Sequence, residues 1–338
     1  MAFRVPAHAL AIALFLGAAL SISSGTRAEE IKIGVLKSTS TGPIYIAVER
    51  HYFDAEGLEP NLVTFASAQP ISVAAAGSEI DVGVTAFTGG LFSLAGQGAI
   101  RIIAGYAQNV PGFKFDAFVV SNKAWQEGVR SYKDFAGRVY GVSQIGAPPH
   151  YELALLAEKH GFDFASVRIS PLQSLANVAS ALVGGQIDAT SLLGSAAIPL
   201  IDRGDVKLLG WAGDEVPYQL GSIFTGTKTA ADHADRLEKF LRVYRRAVHE
   251  YHDAFTGPDG KRADGPGADE IAAIMAKYTG LSVEQVKTGV VYFDREARVN
   301  EGDVMHQVDW FLKQGLIKQP VDPKLFFDSR FVVREDQK

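Results

Sequence analysis

Six short segments of this sequence are rich in groups that bind and poor in groups that react. Ser38–Pro43, Ala66–Pro70 and Thr85–Thr88 form one set, and Ser143–His150, Leu172–Ser174 and Leu193–Ser195 form another. Hydroxyls, amides and free backbone N–H groups can hold a small molecule without changing charge. Acid–base or metal chemistry would need Asp, Glu or His in these places, and they are nearly absent. The candidate contacts in the first set are Ser38, Thr39 and Thr41, Tyr45 one turn further on, Gln69, and Thr85, Ala86 and Phe87. In the second set they are Gln144, Gly146 and Ala147, with Trp211 near a later strand end. Each has a plain competing use: Ser38, Thr39 and Thr41 can cap a helix, and Tyr45, Phe87 and Trp211 can be core. Lys37 and Lys114 are the nearest cations, but helix N-termini can hold an anion without them.

Other reactive constellations are missing. His249 and His252 lie three apart on an expected helix, without a third metal ligand. No Gly-x-Ser-x-Gly elbow, phosphate-binding loop or His-Glu-x-x-His motif occurs. The chain has no cysteine, which excludes disulfides, thiolate metal sites, cysteine nucleophiles and a lipid-bearing N-terminal cysteine. No catalytic residue, metal or cofactor is expected.

These segments gain meaning from the elements around them. Ile31–Leu36 reads as a buried strand, followed by a helix from Pro43 to about Ala55 that Gly57 stops. Leu62–Phe65, Pro70–Ala76 and Ile80–Thr85 continue as strand, helix and strand, the grammar of a parallel sheet with crossover helices. The grammar then recurs 107 positions later. Gly34-Val35 returns as Gly141-Val142, Gly77 as Gly184, and Ile80-Asp81 as Ile187-Asp188. The expected architecture is therefore α/β, with two lobes of like topology, each a mostly parallel sheet flanked by helices. The lobes divide as 29–117 and 118–220, with 221–338 returning to complete the first lobe through a helical C-terminal third. Asp116–Ser121 and Ser222–Thr227 are the expected crossings of a two-strand hinge. Ligands of open parallel sheets bind beyond the carboxyl ends of the strands, which is where the six segments fall.

Residues 1–28 carry Arg4, an apolar run from Ala9 to Leu20, and Thr26-Arg27-Ala28 before Glu29. This is the order of a cleaved secretory signal peptide, and the run is too short to span a bilayer. Removing it takes away two arginines and no acids, moving the formal net charge from −5 to −7. An acidic chain without basic runs excludes nucleic acid and anionic membrane surfaces as expected partners.

The sequence resembles the substrate-binding proteins of nitrate-, taurine- and alkanesulfonate-type ABC importers, including binders of thiamine-pyrimidine precursors. The likeness rests on Ile31-Lys32-Ile33-Gly34 opening into the Ser/Thr segment, on Ala47–Leu58 with its Tyr-Phe-Asp-Ala-Glu-Gly-Leu ending, and on Gly77–Gly83. Gly141-Val142-Ser143 with Gly146, and Gly185–Ala189, extend it through the second lobe. The resemblance implies the type II periplasmic-binding-protein fold, closing on its ligand by hinge motion. It also implies a monomer that delivers a small organic ligand to an inner-membrane permease. The segments lack the charged or Trp-rich pocket of sulfonate and nitrate binders, which points to an organic acid or aromatic ligand. Two other functions fit the same fold. One is an exported enzyme acting on a small acid, and the other is a ligand-sensing module for a membrane receptor. The signal peptide and the missing cysteines argue against a pyrimidine synthase.

Overall fold

A computed structural model describes residues 1–2 and 28–335. The expected signal peptide therefore lies almost wholly outside the described residues. The chain builds two five-stranded sheets. Strands β1 (Glu29–Leu36), β2 (Leu58–Phe65), β3 (Val82–Ala86) and β4 (Ile100–Gly105) belong to the first lobe. After a short strand β5 (Gln108–Asn109), strands β6 (Asp116–Ser121), β7 (Val139–Val142), β8 (Arg168–Pro171), β9 (Ala189–Leu193) and β10 (Val206–Trp211) form the second. A short β11 (Tyr218–Gln219) leads back to β12 (Gly221–Gly226), which inserts into the first sheet.

The sheets run β2-β1-β3-β12-β4 and β8-β7-β9-β6-β10. In each, three parallel strands are followed by one antiparallel strand, and that odd strand comes from the chain that has just changed lobes.

The 107-residue repeat has a physical content. Asp81 Oδ2 accepts the Lys32 N–H at 2.8 Å, and Asp188 Oδ2 accepts the Val139 N–H at 2.8 Å, each at a matching place on its parallel sheet. Ile80 Cδ1 lies over the bare face of Gly34, and Ile187 Cδ1 over Gly141. A glycine under an isoleucine lets the crossover helix settle close to the sheet.

Two expectations are corrected here. Asp116–Ser121 and Ser222–Thr227 are not the crossings: β6 and β12 lie inside their sheets and are buried along their whole length. Covered on both faces, such strands are too constrained to serve as a hinge. The crossing is the ribbon β5–β11, where Asn109 pairs with Tyr218 and Gln108 with Gln219. The first helix is also shorter than expected. It covers Gly42–Glu49, His51 turns left-handed at φ 55°, and a second short helix, Tyr52–Ala55, follows.

The helical C-terminal third packs on both lobes. Helix Ala234–Phe255 buries Leu237, Phe240, Leu241, Tyr244, Val248 and Tyr251 at helical spacing against the first lobe. Helix Glu301–Lys313 reaches the second lobe through Trp310, 5.3 Å from the Tyr151 ring centre. The segment between them passes over Gly105, whose N–H donates to the Ala297 carbonyl at 2.7 Å. A methyl group at Gly105 would run into the Arg298 carbonyl, a backbone atom that cannot turn aside. Gly105→Ala is therefore expected to destabilise by about 3 kcal/mol, the upper end for overpacking, read as a lowered thermal melting temperature.

Candidate functional site

A cavity lies between the two sheets. Leu36 at the end of β1, Thr85 and Ala86 at the end of β3, and Ser191 and Leu193 at the end of β9 line it. These are the carboxyl ends of parallel strands, as the rule for open sheets requires. Gln144 and Ala147 line it from the second-lobe loop and Ser40 from the first.

Thr85, Ala86, Gln144 and Ala147 thus meet on the wall of one cavity. The other expected contacts are turned elsewhere. Ser38 Oγ accepts from Ser40 N at 3.3 Å, Thr39 Oγ1 donates to Gly289 O at 2.7 Å, and Thr41 Oγ1 donates to Leu36 O at 2.7 Å. Their hydroxyls pin the loop, leaving Ser40 on the cavity. Tyr45 is core, stacked on Tyr278 at 4.4 Å, and Phe87 is core, stacked on Phe92 at 5.2 Å. Trp211 packs into the apolar cluster of the second lobe. Gln69 lies over Gly90 and borders, with Gln144, a separate surface depression. Lys37 and Lys114 are exposed, and among the described residues no lysine, arginine or histidine lines the cavity.

Gly146 has a different task. Its carbonyl accepts the Gly89 N–H at 2.9 Å, a backbone bond that joins the lobes directly. Phe311 lies against both glycines. On the other side of the same peptide loop, the Gly146 N–H donates to His150 Nδ1 at 3.2 Å. The His150 ring sits 5.6 Å from Phe164 and 5.5 Å from Trp310. Burial pushes its pKa down to about 4, so it is neutral near pH 7 and free to accept that bond.

The largest departure from expectation is a pair of buried acids. Asp116, the first residue of β6, lines the cavity and is 5 % exposed. Behind it Glu152, on helix Pro148–His160, is fully buried. Asn109 of the ribbon donates through Nδ2 to Asp116 Oδ2 at 2.8 Å and to Glu152 Oε1 at 3.4 Å. Tyr218, also of the ribbon, donates to Glu152 Oε1 at 2.8 Å. Burial, then the Glu152 charge, pushes the Asp116 carboxyl well up, and burial pushes Glu152 up against the bonds from Ser191 and Tyr218. The expectation of a cleft without acids is thus overturned. Its signal was faint: one polar residue heading the apolar run Ala117–Val120, and one acid between Tyr151 and Leu153 on a buried helical face.

Two hydroxyls complete the site, one from each sheet. Thr85 Oγ1 is buried without a hydrogen-bond partner among the described residues, and Ser191 Oγ is buried beside the Glu152 carboxyl, within hydrogen-bond reach of it. Among the described residues, no group of three or more His, Asp or Glu is arranged to hold a metal ion.

Two like-built lobes joined by a two-strand ribbon, with a cavity at their facing strand ends, define the periplasmic-binding-protein fold. The NMT1/THI5-like family model matches residues 38–261, and the chain belongs to that family. A Bacillus subtilis (strain 168) protein named for aliphatic sulfonate binding is 25% identical over 244 residues, covering 70% of each chain. The Escherichia coli periplasmic aliphatic sulphonate binding protein SsuA matches in structure at a TM-score of 0.67 and 15% identity, over 92% of this chain and 94% of its own. The periplasmic nitrate-binding protein NrtA of Synechocystis PCC 6803 matches at a TM-score of 0.70 and 10% identity, over 90% of this chain and 87% of its own.

Proposed function

We propose that this protein is the solute-binding component of an ABC importer. It captures a small organic molecule between its lobes in the periplasm and hands it to a membrane permease as a monomer. The observation that carries this reading is a cavity lined by both lobes into which Thr85 presents a buried, unpartnered hydroxyl. A buried hydroxyl without a partner costs about 1–3 kcal/mol. Facing a cavity shared with the second lobe, that hydroxyl is a cost that a ligand spanning the lobes removes. Ligand that bonds both lobes at once binds the closed arrangement better than the open one, which is the condition for hinge closure.

The test is a thermal-shift screen of small organic molecules, with scattering on each hit. A ligand at a hundred times its Kd raises stability by about 2.7 kcal/mol, and closure lowers the radius of gyration. An unchanged radius at saturation would remove closure from the mechanism. Thr85→Val keeps the shape and deletes the hydroxyl, so it is expected to weaken binding about tenfold, the value of one ordinary hydrogen bond. Calorimetry that gave equal affinities would take Thr85 out of the site.

The buried acids give a second reading its footing. An enzyme acting on a small molecule could use Asp116 and Glu152 as acid and base, since paired carboxyls divide such roles. Mass spectrometry of the ligand after prolonged incubation separates the two: unchanged ligand supports capture, and a converted product supports catalysis.

A further inference from the structure

We infer that the ligand presents a cationic or N–H-bearing nitrogen group, an amine or amidine, to the Asp116 carboxylate. This rests on the solute-binding reading and names the chemistry of its ligand. Among the described residues, Asp116 is the one charged side chain on the cavity wall. Its Oδ2 is held by Asn109, and its carboxyl lies within hydrogen-bond reach of Glu152. Glu152 lies behind it, with Tyr218 and Ser191 beside its carboxyl. The other titratable groups facing the pair are tyrosines: Tyr106, Tyr140 and Tyr218. Among the described residues, no arginine or lysine stands among the groups that act on either carboxyl.

Two buried carboxyls, bonded to each other and to Asn109, Tyr218 and Ser191, have neutral partners and are short of positive charge. A buried carboxylate is tolerated when it is paired, and otherwise takes up a proton. The empty protein takes the second course. A ligand nitrogen takes the first, replacing that proton with its own N–H groups. Thr85 Oγ1, buried and unpartnered on the opposite lobe, supplies an acceptor or donor for the far end of the same ligand. The remaining wall is apolar, with Leu36, Phe115, Leu175, Leu193 and Leu220, so the nitrogen group is carried on a hydrocarbon or aromatic body. A sulfonate or carboxylate placed here would meet a carboxyl and no cation. The expected organic acid is therefore replaced by an organic base.

The experiment uses matched probes on one scaffold: benzylamine and benzamidine against benzoate and benzenesulfonate, together with the corresponding hexyl compounds. Thermal shift and calorimetry are run on the wild type and on Asp116→Asn, which keeps an oxygen for Asn109. The expected result is binding confined to the amines and amidines, reduced at least thirtyfold in Asp116→Asn. Calorimetry of the wild type in two buffers of different ionisation enthalpy gives an independent readout should the variant fold poorly. A cation displaces the proton held by the pair and releases it, whereas an anion draws one in. Binding of the carboxylates or sulfonates, with proton uptake or with affinity kept in Asp116→Asn, overturns the inference and leaves the solute-binding reading standing. No binding by any probe, with no organic molecule retained in native mass spectrometry, overturns both.

Discussion

Gly146→Val is expected to leave the protein folded while lowering ligand affinity about a hundredfold, and to hold the lobes apart at saturating ligand. Gly146 lies in the left-handed region at φ 79°, where an added side chain is strained. The sharper effect comes from position. A Cβ at 146 would sit 3.2 Å from the Gly89 nitrogen and 3.2 Å from Phe311 Cε1, tighter than carbon normally packs. Those neighbours belong to the first lobe and to the helix that braces both lobes. The crowding therefore falls on the closed state, in which Gly146 O receives the Gly89 N–H, and is absent once the lobes part. Overpacking costs about 1–3 kcal/mol, and each 1.4 kcal/mol is tenfold in affinity, which gives the figure. Calorimetry reads the affinity, and scattering with and without ligand reads the opening. A valine variant that binds and contracts like the wild type would mean that the Gly89–Gly146 bond has no part in closure.

Acid is the second lever. The folded state holds His150 near a pKa of about 4, against an ordinary value of 6.5. A depressed histidine means that the unfolded chain binds the proton more readily. Its contribution to stability is therefore complete above pH 6.5, falls as the pH drops from 6.5 to 4, and reaches a loss of about 3 kcal/mol below that range. Asp116 and Glu152 act in the opposite sense. Their raised pKa values make the folded state the better proton binder, so they favour folding as the pH falls and oppose it as the pH rises above the ordinary carboxylate range. The net curve mixes both, and a variant separates them. His150→Gln can still accept the Gly146 N–H and does not titrate, so the difference between its melting curve and that of the wild type isolates the histidine. Ligand affinity is expected to follow the same pattern, because a protonated His150 can no longer accept from Gly146, the residue that reaches across to Gly89. Equal acid sensitivity in wild type and His150→Gln would move the effect to another group.

Much of the frame was legible in the residues. The 107-residue offset carried Gly34 to Gly141 and Asp81 to Asp188 because each pair solves the same local problem. An isoleucine needs a bare glycine beneath it, and an exposed strand N–H needs an acceptor. Such demands lie within one βαβ unit, so spacing alone exposes them. The alternation of strands and helices placed Thr85, Ala86, Gln144 and Ala147 at strand ends for the same reason.

What the sequence could not decide was which polar groups would be consumed locally and which would face the cleft. Ser38, Thr39 and Thr41 lie beside Ser40 and match it in chemistry, yet only the folded loop shows that they cap and pin while Ser40 lines the cavity. Asp116 and Glu152 stand 36 positions apart, on a strand and a helix, and Asn109 and Tyr218 reach them from a two-strand ribbon whose halves are 109 residues apart. Phe311 and Trp310 arrive from the far end of the chain to brace the lobes. Periodicity reports which face of an element is buried. What meets that face is set by packing between distant elements, and there the charge of the cavity and the bond between its lobes were decided.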